Sequence, residues 1–338
     1  MHGRPAPVGG HRRGAGPPAA RGGGLGGREP PGRRQVTGRD VTASTARPGP
    51  RVVAVGGGHG LAATIRAVRR YASRVTAVVA TADDGGSTGR LRSALDMPAP
   101  GDIRRCIEAM AGPEGTTLAR ALGYRFDGSD VEGHALGNLL LAGLHAVTGD
   151  FGVAVDELER LAGIDTRIGR VLPATLDPVV LRARVAGGGE VTGQVAITGT
   201  VGVEQVVLDP PDAAAPAEAV EAVLGADQVV LGPGSLYTSV LAAAVVEDVR
   251  SALKRTPARR VYVCNVRAEA GETRGYDVAA HVGALRRHGV EPDVVVAQRG
   301  ALPLGDVGVE VVEADVVRPH GLAHDPAKLG DVLAGLAT

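Results

Sequence analysis

The chain has 338 residues, 44% of them hydrophobic, with 37 basic and 37 acidic side chains, enough for one large domain or one domain with an insertion. The first fifty residues hold nine arginines and two acids, so the remaining body carries 28 basic against 35 acidic groups. A net-negative body excludes sequence-independent nucleic-acid binding as the main role, because that binding rests on phosphate neutralisation by Lys and Arg.

Cys106 and Cys264 are the two cysteines, too few for a disulfide framework or a thiolate metal site. No apolar run approaches about 18 residues, so no membrane span is expected. A reducing cytoplasm is the default location.

Residues 1–50 are rich in Gly, Pro and Arg and lack apolar periodicity. Such a segment buries too little surface to offset its ordering entropy and reads as a disordered tail. An upstream start assignment, an address signal or an anionic contact are the alternatives. The folded body is expected to begin at Arg51 and run to the end as one α/β domain.

Six Val-rich apolar runs read as strands covered on both faces: Val52–Val55, Val75–Ala80, Gln228–Leu231, Val261–Cys264, Val294–Ala297 and Val309–Val312. Helical patterns intervene, with Leu61, Ile65 and Val68 on one stripe and Ser239–Leu253 as a longer helix. Strands alternating with helices imply a mostly parallel, doubly wound sheet. Residues 102–162 read as helical, with Gly101 or Asp102 as N-cap for Ile103–Met110 and a helix over Leu139–Val147. Residues 167–208 read as an antiparallel β insertion: Val179–Val185, Val191–Ile197 and Val201–Leu208, with a turn at Gly187-Gly188-Gly189.

The first strand leads into Gly56-Gly57-Gly58-His59-Gly60 and then a helix. Glycines permit the tight turn and close phosphate approach, and the helix start supplies free N–H groups and partial positive charge. A structural turn is the bland alternative. The second strand leads into Asp83-Asp84-Gly85-Gly86-Ser87-Thr88-Gly89-Arg90. Carboxylates here suit a ribose or Mg²⁺, while a backbone nest and Arg90 suit phosphate. An acidic turn capping the helix at Leu91 is the simpler reading. Parallel strands would bring the two loops together at the sheet's carboxyl edge, where α/β sheets bind ligands.

Leu231-Gly232-Pro233-Gly234-Ser235-Leu236-Tyr237 repeats the strand–glycine loop–helix pattern, so a second anion fits there. Asp102 and His134 read as either structural or ligand-facing, and Asn138, in the first turn of the helix over Leu139–Val147, is positioned by sequence to hydrogen-bond a base or sugar. Asn265 ends a strand at the ligand edge, ahead of a polar loop with Glu269, Glu272 and Tyr276. Cys264 reads as a buried core thiol. No Ser-His-Asp order, HExxH or P-loop lysine is present, so covalent nucleophilic catalysis has no positive support, and metal-assisted transfer at a phosphate is the more natural chemistry for a reaction here. An NAD(P) oxidoreductase would rest on the G-x-G-x-x-A of Gly58–Ala63 and on Asp83, with no proton-relay group in place.

These blocks together resemble the YvcK-like gluconeogenesis-factor family, related to the 2-phospho-L-lactate transferases (CofD) of deazaflavin coenzyme synthesis. The resemblance runs from Arg51 to about Leu329. It rests on Val55–Leu61, Ala82–Arg92, Pro100–Arg104, Gly133–Leu140, Leu231–Ser239 and Tyr262–Val266. It implies a Rossmann-like CofD fold and a cytoplasmic protein. Members of this branch bind UDP-sugars, notably UDP-N-acetylglucosamine, and act in carbon partitioning, cell shape and envelope-precursor supply. The transferase branch moves a phospholactyl-type group from a guanosine diphosphate donor to a deazaflavin with Mg²⁺.

Tyr262–Asn265, Gly271–Thr273 and Tyr276 favour the UDP-sugar branch, Tyr276 matching a tyrosine implicated in UDP-sugar binding. The implied ligand set is Gly56, Gly57, Gly58, His59, Gly60, Asp83, Asp84, Gly85, Gly86, Ser87, Arg90, Asp102, Asn138, Gly232, Gly234, Ser235, Tyr237, Asn265 and Tyr276. Asp83 and Asp84 would hold Mg²⁺, and would be the catalytic pair of a transferase. Two positions depart from the family pattern. His59 stands where GGGTG has threonine, and Ala323-His324-Asp325-Pro326 stands where R-H-D-P is usual, with Arg318 as candidate replacement for the arginine. A homo-oligomer is compatible with the chain, and the protein partner is left open.

Overall fold

The Val-rich runs form strands because branched side chains pack well on a pleated surface covered from both sides. The computed structural model describes residues 48–337 except Ser129 and His320. All but the last three residues of the expected N-terminal tail lie outside that range. Seven parallel strands make the main sheet, in the order β10-β9-β8-β7-β1-β2-β3. They are β1 (Arg51–Gly56), β2 (Arg74–Val79), β3 (Gly169–Pro173), β7 (Gln228–Leu231), β8 (Arg259–Val263), β9 (Val294–Gln298) and β10 (Glu310–Ala314). Three further strands, β4 (Val180–Val185), β5 (Gly189–Thr192) and β6 (Val203–Asp209), form a separate antiparallel sheet in the order β5-β4-β6.

The helices are α1 (Gly58–Val68), α2 (Gly86–Leu95), α3 (Pro100–Ala111), α4 (Thr117–Ala121), α5 (Leu136–Thr148), α6 (Phe151–Ala162), α7 (Gln194–Thr198) and α8 (Ala217–Leu224). A π-helical turn over Leu236–Leu241 then runs into α9 (Ala242–Ala244), followed by α10 (Glu247–Arg255), α11 (Val278–Arg287) and α12 (Pro326–Gly335). None is long and apolar enough to cross a membrane.

Alternation along the central strands splits the core in two. Val52 and Ala54 face Leu61, Ile65, Ile103, Ile107 and Leu329 from α1, α3 and α12. Val53 and Val55 face Leu181, Val206, Leu241, Val249 and Val282, so the antiparallel sheet and the helices after β7 cover the other side. At about 25 cal/mol per Å² of apolar surface removed from water, these two layers supply the drive that fixes the sheet.

The structure corrects four expectations. Residues 167–208 are not wholly antiparallel: Gly169–Pro173 pairs in parallel with β2 as the sheet's edge. The expected strand Val191–Ile197 stops at Thr192, because Gly193 takes φ +97° and the chain turns into α7. Ser239–Leu253 is not one helix but a π-turn, a short α segment and α10, broken around Val245 and Val246. Neither Gly101 nor Asp102 caps α3; Ala99 is its N-cap and Pro100 its first residue, where a missing N–H costs nothing.

Strand order sets the position of the candidate site. The chain steps from β1 outward through β2 to β3, then returns to β7 beside β1 and steps outward the other way. The order therefore reverses between β1 and β7, and ligands of such sheets bind outside the carboxyl ends at that switch point.

Candidate functional site

Three loops leave neighbouring strands at the carboxyl edge: Gly57–Gly60 after β1, residues 80–85 after β2, and Gly232–Ser235 after β7. The β1 and β7 loops touch. A Cβ on Gly60 would fall inside the van der Waals radius of the Pro233 carbonyl oxygen, and Thr64 Oγ1 donates to Gly232 O at 2.7 Å. Gly58, at φ +66°, makes the turn into α1 that side chains rarely allow.

The loop amides are partly committed. Asp102 Oδ2 accepts from Gly58 N at 2.6 Å while Oδ1 takes Arg105. Gly232 N donates to Val55 O and Gly234 N to Asn265 Oδ1, at 3.0 Å each. Ser235 Oγ donates to Glu269 Oε1 at 2.9 Å. The helix start therefore offers an anion the amides of His59 and Gly60, not the whole loop.

Between the loops opens a crevice of about 220 Å³ lined by His59, Gly60, Gly234, Asn265, Glu269 and His324, among others. His324 is buried there with its Nε2 unpartnered among the described residues. Loss of hydration, offset in part by the Cys264 backbone, lowers its pKa to about 4, so it is a neutral ring at physiological pH. Arg318, the candidate replacement for the family arginine, meets this loop through its backbone, donating from N to Ala323 O at 2.9 Å. A separate cleft beside Arg51 and Arg74 lies at the strands' amino ends, away from these three loops.

The paired acids part company. Asp83 accepts from Gly85 N at 3.0 Å and lies beside Thr88 and Asp102. Burial, followed by the charge of Asp102, outweighs its hydrogen bonds and raises its pKa. Asp84 turns to the antiparallel sheet, where Oδ1 accepts from Val195 N at 2.9 Å and Oδ2 crowds Gly193. Carboxylates that diverge in this way do not fit one shared Mg²⁺, which needs near-ideal octahedral geometry at short range.

Gly85 is the N-cap of α2, Gly86 its first residue, and Arg90 donates to Glu132 O at 2.8 Å. Ser87 Oγ lies 2.9 Å from His134 Nδ1 and accepts from Asn138 Nδ2 at 3.2 Å. This buried trio ties α2 to α5, leaving Asn138 Oδ1 without a partner among the described residues. Tyr237 is fully buried in the π-turn. Its hydroxyl is 2.9 Å from that of Tyr276 and accepts from Arg287 at 3.2 Å. Neither tyrosine lines the crevice.

Behind the Gly232–Ser235 loop sits an acid pair, Glu272 buried and Glu269 half-buried on the crevice wall. Glu272 Oε1 accepts from Tyr237 N at 3.2 Å, and its carboxyl lies beside that of Glu269, with Oε2 of each lacking a partner among the described residues. Loss of hydration, then the charge of Glu269, raises the Glu272 pKa to about 8. Glu269 was legible only as a member of a polar loop, and Glu272 and His324 only as members of motif blocks; their meeting around this crevice has no sequence period.

A family model described as 2-phospho-L-lactate transferase CofD matches residues 52–322, spanning all three loops. The chain belongs to the CofD family. This CofD-family chain is 44% identical over 309 residues to a Mycobacterium tuberculosis protein named "Putative gluconeogenesis factor", covering 84% of this chain and 90% of that one. It is 40% identical over 250 residues to the "Gluconeogenesis factor" of Halalkalibacterium halodurans, covering 72% and 76% respectively. A crystal structure of a UPF0052-family protein from Bacillus halodurans superposes with a TM-score of 0.79 at 34% identity, covering 84% of this chain and 98% of that one.

Proposed function

We propose that this CofD-family protein is a gluconeogenesis factor that binds a nucleoside-diphosphate sugar, UDP-N-acetylglucosamine, and acts as a cytoplasmic regulator of carbon partitioning, cell shape and envelope-precursor supply. The observation carrying this reading is the crevice at the β1–β7 switch point, with Gly60 and Gly234 on its walls. The diphosphate lies on the amides of His59 and Gly60, near the positive end of α1. Asn265 and neutral His324 offer hydrogen bonds to uncharged sugar or base groups. Asp83, on the neighbouring loop after β2, is the acid this reading assigns to a ribose hydroxyl. The names of the relatives support the carbon-metabolism part of the reading.

The family match alone favours a second reading, Mg²⁺-dependent transfer of a phospholactyl-type group from a guanosine diphosphate donor to a deazaflavin. The divergence of Asp83 and Asp84 weighs against it.

Calorimetry of the full chain with UDP-N-acetylglucosamine and with GDP, each with and without Mg²⁺, separates the two. Tight UDP-sugar binding indifferent to Mg²⁺ is the expected result. Preference for GDP with Mg²⁺, with turnover of a deazaflavin acceptor, overturns the regulator reading.

A further inference from the structure

A second cleft, of about 450 Å³, opens on the other side of His59 between α1, α3 and the loop carrying Arg125. Its lining shares His59, and no other residue, with the crevice at the switch point. Arg66, Arg104, Arg105 and Arg125 all line it, with Glu108 as the one acid on its wall. Two of these charges are balanced: Arg105 by Asp102, and Arg104 by Glu108 at 3.3 Å. Arg125 is held by a neutral acceptor, Gly133 O at 2.8 Å. Arg66 has no acid partner among the described residues.

Arg104 adds an independent sign. Its side chain is 7% exposed, and its Nε has no partner among the described residues. Buried polar atoms are nearly always satisfied, so an unsatisfied guanidinium nitrogen within a cationic cleft marks a place for an acceptor. Like charges packed together cost stability at short range. Burial, then the charge of Arg105, pulls the Arg104 guanidinium down. The surrounding arginines, Arg105 first, hold the His59 ring below its ordinary range.

We propose that this cleft is a binding site for the phosphate group of a small phosphate monoester, separate from the nucleotide crevice. Two uncompensated guanidinium groups match a dianion better than a carboxylate, and the planar fork of arginine suits two-point contact with phosphate oxygens. A cleft of this size holds a small metabolite beyond the phosphate itself. The site goes beyond the nucleotide reading and does not depend on it.

The test is calorimetry of the full chain with inorganic phosphate and with glycerol 3-phosphate at fixed ionic strength, in wild type and in Arg66→Gln. Saturable binding is expected, weakened about tenfold in Arg66→Gln. Tighter binding of the ester identifies a metabolite as the occupant, and equal binding identifies free phosphate; either supports the site. The melting temperature of ligand-free Arg66→Gln should match or exceed that of wild type, because a repelling charge has gone; a purely structural arginine would give the reverse. UDP-N-acetylglucosamine titrated into the same variant should behave as with wild type, so failure of one site is visible apart from the other. No saturable binding up to about 10 mM, or equal phosphate affinity in Arg66→Gln, overturns the proposal.

Discussion

Asp102 Oδ2 accepts the backbone N–H of Gly58 at 2.6 Å, so an acid from the first turn of α3 caps the first turn of α1. The contact couples two of the motif blocks and uses one of the amides that glycine-rich loops usually turn to phosphate. Asp102→Ala strips Gly58 of its acceptor and Arg105 of its partner. It should destabilise the fold by about 1–2 kcal/mol, the range for a lost capping acceptor. Asp102→Asn keeps an acceptor for Gly58 and should recover about half of that. Denaturant midpoints of the three proteins check the order; equal midpoints would show that the contact contributes nothing.

Gly60 lies against Pro233, where a methyl group would meet a carbonyl oxygen that belongs to the backbone and cannot swing aside. Gly60→Ala must push the β1 and β7 loops apart, at an overpacking cost of about 1–3 kcal/mol. Because both loops line the crevice, UDP-sugar affinity should fall at least tenfold under conditions where the variant is folded. Gly335→Ala, at a position open to space, is the control and should bind as wild type does.

The central sheet and its three loops were legible because β1, β2, β7, β8, β9 and β10 each hold a Val-rich run, with glycine-rich or acidic loops following β1, β2 and β7. β3 was not, and Arg170 is the reason. A strand of five residues containing a buried arginine and ending in proline has no apolar period to read; its pairing depends on Glu159, Asp156 and Glu218, supplied from α6 and α8. The break near Val245 was hidden for a similar reason, since Ala242–Ala244 continues a helical pattern that tertiary packing interrupts. In the site, glycine spacing identified the loops, but the turning apart of Asp83 and Asp84 depends on Gly193 and Val195, more than a hundred residues away. Adjacent acids carry no sign of which neighbour each will meet.

The Tyr237–Tyr276 pair separates a packing role from a ligand role. Tyr276→Phe removes one hydroxyl contact of 2.9 Å and should cost about 1 kcal/mol of stability. Tyr276 is half-buried and sits off the crevice, so direct contact with the sugar requires the ligand to extend past Glu269. A Phe variant that keeps wild-type UDP-sugar affinity would remove Tyr276 from the ligand set; a tenfold loss with little change in stability would keep it there.

The Glu269–Glu272 pair predicts a pH dependence of definite sign. Glu272 titrates near 8 in the folded chain, because burial and the charge of Glu269 disfavour its ionised form, against an ordinary value of 4.5. Between these values the folded state holds a proton that the unfolded state has released. The pair's contribution is therefore fully present below about pH 4.5 and is lost as pH rises through about 8. Glu272→Gln mimics the neutral form. It should flatten the fall in melting temperature over that window and raise the value at pH 8 by about 3 °C. Melting curves across the window decide the matter, and an unchanged slope in Glu272→Gln would sink the assignment.

The edge strand β3 rests on a buried charge. Glu159 is fully buried and accepts from both Arg170 and the backbone of Val171, at 2.5 Å for the latter. Removing one partner of a buried pair leaves the other uncompensated, which costs about 3–5 kcal/mol. Glu159→Ala should approach that loss, moderated because Asp156 and Glu218 still face Arg170. Glu159→Gln retains an acceptor for Val171 but no charge, and should fall between the two. Hydrogen exchange at Val171 and Leu172 reads the same event locally, because β3 pairs on one side with β2 through these residues. Protection there should drop in Glu159→Ala before it drops in β1, which is flanked by strands on both sides. Simultaneous loss in both strands would mean that the charge supports the whole sheet, not its edge.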